Sequence, residues 1–270
     1  MIKTSSPRIR LSLFIFFGWT LLILGDRVGD FKLYQGSFVA TYALAITSII
    51  LLTGYSGQLS LGQSALMAVG AYAGALTIFN VGMHPVIGLF MSTLVAGIFG
   101  LILGLIVARL SGPYLAGTTL ALAISLPTLA NQFPILGAEE GIIFDVGLPP
   151  ARFGEDFSQY KWFFWISCLA TLIMVWFVAN LVSSKYGRTF RAMRDNPVAA
   201  QLSGINVGRL KVTAFAISSG VAGLSGGLLV MLISGVSPSA FPLSLSFSIL
   251  TGAVITGLYN LKPPDAFHLP

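Results

Sequence analysis

Long apolar segments without charged residues make up most of the chain. Asp, Glu, Lys and Arg are absent from residues 33–108, 110–138, 162–184 and 212–261. Each of these segments is longer than the roughly 20 apolar residues that a helix needs to cross a membrane. Backbone groups in lipid bond within helices or closed barrels, and these continuous runs lack the alternating polarity of barrel strands. The pattern therefore predicts an all-α polytopic membrane protein.

Turn-forming residues divide the apolar segments into about eight transmembrane helices. Glycine, proline and asparagine clusters interrupt them at residues 53–58, 80–85 and 235–242, and the first span is expected at residues 11–25. We expect one transmembrane domain over residues 1–258, with a long outer loop at 137–160 and a long inner loop at 183–210. Residues 259–270 form a short polar tail. From this tail we expect that the chain is truncated or altered at its end.

The charged residues are distributed unequally between the two sides of the membrane. With 55% hydrophobic and 9% charged residues, the composition excludes an ordinary soluble domain. A cytoplasmic N-terminus places most basic residues inside, namely Lys3, Arg8, Arg10, Arg109, Lys185, Arg188, Arg191, Arg194, Arg209, Lys211 and Lys262. The positive-inside rule favours this orientation. It also explains the net charge of +6 without a nucleic-acid partner.

The inner loop contains the signals of two short helices. Asn196 can cap a helix that begins at Pro197 and ends before Gly204, while Arg188, Arg191 and Arg194 are spaced three apart on a preceding helix. Such short helices need a packing partner. A docking surface and a simple solvated basic loop both explain these residues.

Polar residues cluster where the third span opens. Gln58, Ser60, Gln63 and Ser64 lie there, and a helix that starts at Gly57 places Ser60 and Ser64 on one face. They predict either a translocation path beside a broken helix or hydrogen bonds between helices. Asn131 lies in the fifth span near Pro127, and for it too we expect either a place in the translocation path or a hydrogen bond between helices.

Small-residue pairs within the spans predict close helix packing. The pairs are Gly70/Gly74, Gly100/Gly104 and Gly223/Gly227. Other chemistry finds little support, because no charged residue lies within a span, no Gly-x-x-x-x-Gly-Lys loop occurs, and the two histidines lack partners at ligand spacing. We therefore expect neither an enzyme nor a metal site.

Two segments resemble one family of permeases. GYSGQLSLGQ at residues 54–63 is similar to the signature of permease subunits in branched-chain amino-acid ABC importers of the LivM type. YGRTFRAMRDN at residues 186–196, with Ala199, Ala200 and Gly204, resembles the cytoplasmic loop of the same family. The resemblance covers roughly residues 34–258.

The resemblance implies that the chain is a permease subunit of an importer and works with several partners. These partners are a second homologous permease subunit, two cytoplasmic ABC ATPase subunits that bind the ATP, a periplasmic or lipid-anchored substrate-binding protein and the lipid bilayer of the bacterial inner membrane. ATPase coupling is implied for Arg188, Arg191, Arg194, Asp195, Asn196, Ala199, Ala200 and Gly204. Related permeases carry simple sugars, nucleosides, amides or urea. A stand-alone secondary carrier is the alternative from another class.

Overall fold

The computed structural model describes residues 18–20, 23, 25, 28–81, 84–110, 112–146 and 158–257. Its helices are α1 (Asp30–Ile49), α2 (Gln63–Val81), α3 (Pro85–Val107), α4 (Pro113–Ala130), α5 (Gln159–Ser183), α6 (Lys185–Asp195), α7 (Pro197–Leu202), α8 (Val207–Ile233) and α9 (Leu243–Ile255). A π-helical turn, Ile50–Tyr55, continues α1. Two short strands, β1 (Ile142–Ile143) and β2 (Gly235–Val236), pair antiparallel.

The helices confirm an all-α polytopic membrane fold. Within the described ranges, six segments are long and apolar enough to cross a membrane: α1 with its π-helical turn, α3, α4, α5, α8, and Pro238–Ile255, which ends in α9. The apolar part of α2, Gln63–Ile78, is shorter. The first expected span, at residues 11–25, and the tail after residue 257 lie largely or wholly outside the described residues. The number eight and the side of the N-terminus therefore stay predictions.

Helix α8 forms the centre of the bundle. Its most apolar window is 83% buried, against 44% for α1 and 28% for the other spans. It packs against α1, α2 and α3, and α5 covers the other side of α1. Small residues make this position possible, because a Cβ on Gly223 would overlap Ala96 and one on Gly226 would overlap the Met67 carbonyl. The prediction of close packing at the glycine pairs is confirmed.

Basic residues predominate at one end of the bundle and acidic residues at the other, with Lys32 and Lys161 at the acidic end and Asp195 at the basic end as exceptions. The Lys211 ammonium donates to the carbonyls of Ala108 (3.3 Å) and Leu110 (2.9 Å), so the α3–α4 turn and the start of α8 lie together. Helices α6 and α7 lie at this end, which we call the basic end. At the other, acidic end, the loop with Glu139 and Glu140 leads into β1, which pairs with β2 after α8.

Candidate functional site

The first part of the site is an irregular segment between α1 and α2, which we call the helix break (residues 56–62). Gly57 has a φ of +70°, a conformation that side chains disfavour. The Thr53 hydroxyl donates to the Gln58 carbonyl at 3.1 Å and holds the chain out of helical register. The expectation that Ser60 and Ser64 share a helical face is therefore wrong, because α2 begins only at Gln63.

Hydrogen bonds join the helix break to α4 and α8. The Gln58 side-chain amide donates to the Ser56 hydroxyl at 2.9 Å and to the carbonyl of Lys211 in α8 at 3.5 Å. The Leu61 N–H donates to the hydroxyl of Thr119 in α4 at 2.9 Å. The Thr119 hydroxyl gives the Leu61 N–H the partner that the broken helix cannot supply, and the Gln58 side chain joins the break to α8, so the break is held by its neighbours.

The first turn of α2 contacts two further helices. The Gln63 amide donates to the hydroxyl of Ser48 in α1. The Ser64 N–H donates to the hydroxyl of Ser246 in α9 at 2.9 Å, and this hydroxyl donates to the Ser64 hydroxyl at 2.8 Å. The helix break and the first turn of α2 therefore contact α1, α4, α8 and α9.

The structure brings four of the residues proposed for the path together, inside the subunit. Gln58, Ser60, Gln63 and Ser64 are 0–3% exposed. Within the described residues, the side-chain oxygens of Gln58 and Gln63 are buried without a hydrogen-bond partner. Hydrogen bonds to other helices involve the amide nitrogens of Gln58 and Gln63 and the Ser64 hydroxyl, whereas the Ser60 hydroxyl accepts from the Gly62 N–H within the break. A role in the path stays a prediction for these residues.

Helix α6 contributes the next part of the site. Ser184 caps it by accepting from the Tyr186 N–H at 3.2 Å, and Gly187, Phe190 and Met193 form its buried face. Arg194 extends from its last turn towards the π-helical turn that follows α1. Its Nη1 donates to the Gly54 carbonyl at 2.9 Å.

The contact between Arg194 and the helix break is tight. The Asp195 carboxylate accepts from Nε of Arg194 at 2.8 Å and lies 2.7 Å from Nη2, which orients the guanidinium. A Cβ on Gly57 would come within 2.6 Å of Arg194 Cγ. Residues 54–63 and 186–196, which carry the family resemblance, therefore touch each other.

Helix α7 completes the inner loop and confirms the predicted capping. The Asn196 side chain accepts from the N–H groups of Val198 (3.1 Å) and Ala199 (3.0 Å), Pro197 is the first helical residue, and Gly204 follows the helix with a φ of +81°. Arg188 and Ala199 are exposed, and Arg191 is half-buried.

The exposed apolar residues of α7 were missed as site residues in the sequence. Val198 is 64% and Leu202 is 85% exposed, whereas Ala200 is only 4% exposed. Their i, i+4 spacing places Val198 and Leu202 on one face. Which face is buried depends on packing against the rest of the bundle, so the hydrophobic pattern of six residues could not show it.

Asn131 lies apart from the helix break, at a cavity of about 600 Å³ at the acidic end. The lining comes from α4 and from the segments around Glu139 and before α9. Pro127 has no N–H, so the Ala123 carbonyl in this lining lacks its helical donor.

In the described part of the chain, no group of three His, Cys, Asp or Glu residues converges, and the absence of a metal site stays a prediction.

Helices differ in the chemistry of their exposed faces. On α3 the exposed residues are large and apolar: Val86, Ile87, Phe90, Leu94, Val95, Ile98, Leu101, Ile102, Leu105 and Ile106. On α4 small or hydroxyl-bearing residues (Gly117, Thr118, Ala121, Ser125 and Thr128) are exposed beside Tyr114, Ile124 and Leu129, and on α9 Ser244, Ser248 and Thr251 are exposed beside Phe247, Val254 and Ile255. Large apolar side chains suit lipid, whereas small and hydroxyl-bearing faces are typical of protein interfaces and polar cavities in membranes.

Together, the long apolar helices of the bundle define a polytopic helical membrane protein. The chain belongs to the family described as branched-chain amino acid transport system / permease component, whose profile matches residues 33–264. It is therefore a transport permease component by family.

Relatives of known name include permeases for different substrates. The chain is 31% identical to the high-affinity branched-chain amino acid transport system permease protein LivM of Salmonella typhimurium, over 80% of this chain and 56% of the relative. It is 27% identical to the fructose import permease protein FrcC of Rhizobium meliloti, over 84% of this chain and 62% of the relative. The ribose import permease protein RbsC of Haemophilus influenzae is 29% identical, over 77% and 62%. The chain thus spans little more than half the length of these proteins. No solved structure matches it significantly.

Proposed function

We propose that this chain is a membrane-spanning subunit of an ATP-binding-cassette importer in the bacterial inner membrane. It forms half of the translocation path for branched-chain or other neutral amino acids. A second homologous permease subunit forms the other half, two cytoplasmic ATPase subunits bind and hydrolyse ATP, and a periplasmic or lipid-anchored protein delivers the substrate. The chain itself binds no cofactor and catalyses no reaction.

The observation that carries this proposal is the exposed face of α7. Val198 and Leu202 are apolar, exposed and located at the basic end, which the positive-inside rule assigns to the cytoplasm. Exposed apolar side chains on a capped helix of six residues suit a protein partner. A soluble ATPase that docks on α7 is such a partner, and a carrier that works alone has no need of one.

Exposed faces suggest where the path runs. Unlike α3, helices α4 and α9 present small and hydroxyl-bearing residues at the surface among their large apolar ones, and with the adjoining loops they line the open cavity at Asn131. We propose that these faces line the path at the boundary with the second permease subunit, while α3 faces lipid. Gln58, Ser60, Gln63 and Ser64 then reach the path only when the helix break moves.

The cavity at the acidic end favours a substrate with an ammonium group. Glu139 supplies a carboxylate and Asn131 an amide, whereas no basic residue lines it within the described part of the chain. Hydrogen-bond acceptors and negative charge suit the ammonium of an amino acid. The similarity to FrcC and RbsC keeps simple sugars as the second candidate substrates.

Purification of the tagged chain in mild detergent tests the proposal. We expect stoichiometric ATPase and a second permease among the co-purifying chains identified by mass spectrometry. The same complex in proteoliposomes, supplied with ATP and its binding protein, is expected to take up labelled leucine. Competition by excess isoleucine but not by ribose or fructose distinguishes the two substrate classes. Uptake driven by an ion gradient without ATP would contradict the proposal and favour a secondary carrier.

A further inference from the structure

The contact between Arg194 and the helix break has a meaning beyond the resemblance, which places Arg194 among residues that meet the ATPase. In the structure the Arg194 side chain is only 23% exposed and extends towards the π-helical turn that follows α1. It donates to a main-chain carbonyl, that of Gly54, 140 residues away in the sequence. A side chain engaged in this way is positioned to act on its own subunit.

The Gly54 carbonyl depends on Arg194 because the chain leaves helical geometry at this point. The N–H groups of Ser56 and Gln58 bond to Leu51 (3.2 Å) and Leu52 (3.1 Å), which lie earlier in the π-helical turn. Arg194 donates to Gly54 from a planar guanidinium whose orientation Asp195 determines. On the other side, the helix break bonds to Thr119 of α4, and the first turn of α2 bonds to Ser246 of α9.

We infer that Arg194 is a positioning residue that connects α6 and α7 to the helix break, so that movement of α7 is carried to α4 and α9. This inference rests on the proposed function, in which ATPase closure moves α7. The connection has four steps. Phe190 and Met193 anchor α6 in the core, and Arg194 donates to Gly54 just before the helix break and lies against Gly57 within it. The helix break bonds to α4, the first turn of α2 bonds to α9, and both helices contribute to the lining of the cavity. Loss of the Arg194 contact is therefore expected to change how ATP hydrolysis is coupled to transport, and not how tightly the ATPase binds.

The test compares substrate transport with ATP hydrolysis in the reconstituted complex. We expect Arg194→Ala to retain its ATPase subunits and to hydrolyse ATP, but to lower the leucine transported per ATP about tenfold, a usual size for coupling between sites. Arg194→Lys keeps a donor and a positive charge and is expected to restore part of this ratio. Arg209→Ala is the matched control, because it removes an exposed arginine at the same end of the bundle.

Gly57 provides an independent arm of the same test. Gly57→Ala introduces a Cβ against Arg194 as well as backbone strain, whereas Gly112→Ala introduces strain alone, because none of the described residues has an atom within 4 Å of its Cβ. We expect Gly57→Ala to lower transport per ATP and Gly112→Ala to leave it unchanged. In the Arg194→Ala background, Gly57→Ala is expected to cause a smaller further loss than in the wild type, because the 2.6 Å contact with Arg194 Cγ is gone while the backbone strain and the contacts with the Cβ and Cα of residue 194 remain.

Amide hydrogen exchange of the purified chain makes the contact testable without transport. Arg194→Ala is expected to speed exchange in residues 54–62 at least about tenfold through local opening, and Arg209→Ala to leave it unchanged. Three results for Arg194→Ala would each overturn the inference: unchanged exchange, unchanged transport per ATP, or loss of ATPase binding. The proposed function would still stand in these cases if the wild-type complex transports substrate. A wild-type complex that assembles without ATP-driven uptake would instead reject the proposed function, and with it the coupling role.

Discussion

Single glycines determine how closely α8 approaches its neighbours. The space where a Gly226 side chain would lie is occupied by the Met67 carbonyl, and the space at Gly223 by Ala96 and the backbone of α3. Main-chain atoms cannot move away as a flexible side chain can. The central position of α8 therefore depends on these residues individually, not on the general glycine content.

A Gly226→Ala variant is expected to lower the stability of the bundle. The added methyl forces α2 and α8 apart, which costs about 1–3 kcal/mol for overpacking of this kind. The melting temperature of the purified protein in one detergent measures the effect. Gly117→Ala in α4 is the matched control, because nothing lies within 4 Å of its Cβ and alanine favours a helix. Equal melting temperatures for the two variants would show that α8 tolerates a wider separation.

Within α7, burial and exposure separate residues that the sequence places side by side. Ala200 is buried against the rest of the subunit, whereas Leu202 projects from the basic end. Charged substitutions at these two positions therefore have different physical consequences. An aspartate at Ala200 places an unpaired charge in the core, and one at Leu202 remains hydrated.

We expect Leu202→Asp to abolish co-purification of the ATPase while leaving the melting temperature of the isolated chain unchanged. Hydration of the carboxylate opposes its burial in an apolar groove of the partner. Ala200→Asp is expected to lower both ATPase binding and the melting temperature. Retention of stoichiometric ATPase by Leu202→Asp would show that α7 is a solvated loop and not the docking surface.

Much of the helical architecture could be predicted from the sequence, because length and turn chemistry are local properties. Breaks near residues 53–58, 80–85 and 235–242, and the caps at Asn196 and Gly204, needed only the residues at those positions. The start of α2 could not be predicted in this way. The helix break is held by Thr119, Lys211 and Arg194, which are distant in the sequence.

The candidate site residues show the same difference between what local sequence predicts and what depends on contacts distant in the sequence. The polar segment at residues 54–63 and the inner loop were visible as motifs, but their contact depends on tertiary packing. Burial of Gln63 and Ser64 likewise depends on Ser48 and Ser246 in other helices. A motif can therefore indicate which residues matter, while the structure is needed to show what they touch.

Exposed faces of α3 and α4 predict different responses to a large side chain. Ser125 lies on the small-residue face of α4, and Ile98 lies on the apolar face of α3. We expect Ser125→Trp to reduce uptake about tenfold or more by filling the path, and Ile98→Trp, which adds an aromatic ring in lipid, to leave uptake nearly unchanged. Uptake in proteoliposomes, normalised to inserted protein, measures both. Equal uptake by both variants would place the path elsewhere.

The bundle as a whole has a polarity that its charges define. Arg109, the arginines of α6 and Lys211 lie at the basic end, whereas Glu139 and Glu140 lie at the acidic end. Apolar spans cross in either direction equally well, so the loops decide the orientation. Docking of α7 on a cytoplasmic ATPase and delivery of substrate from outside both require the basic end in the cytoplasm.

Cysteine labelling in right-side-out spheroplasts tests this orientation. Cys168, the one cysteine of the chain, is buried within α5, and Cys168→Ala provides a background without thiols. We expect a membrane-impermeant maleimide to label Glu140→Cys and to leave Leu202→Cys unlabelled until the membrane is permeabilised. The reverse pattern would place α7 outside the cell, where no ATPase can reach it. The charge distribution would then need another cause, and the importer proposal would fail together with the assignment of the path.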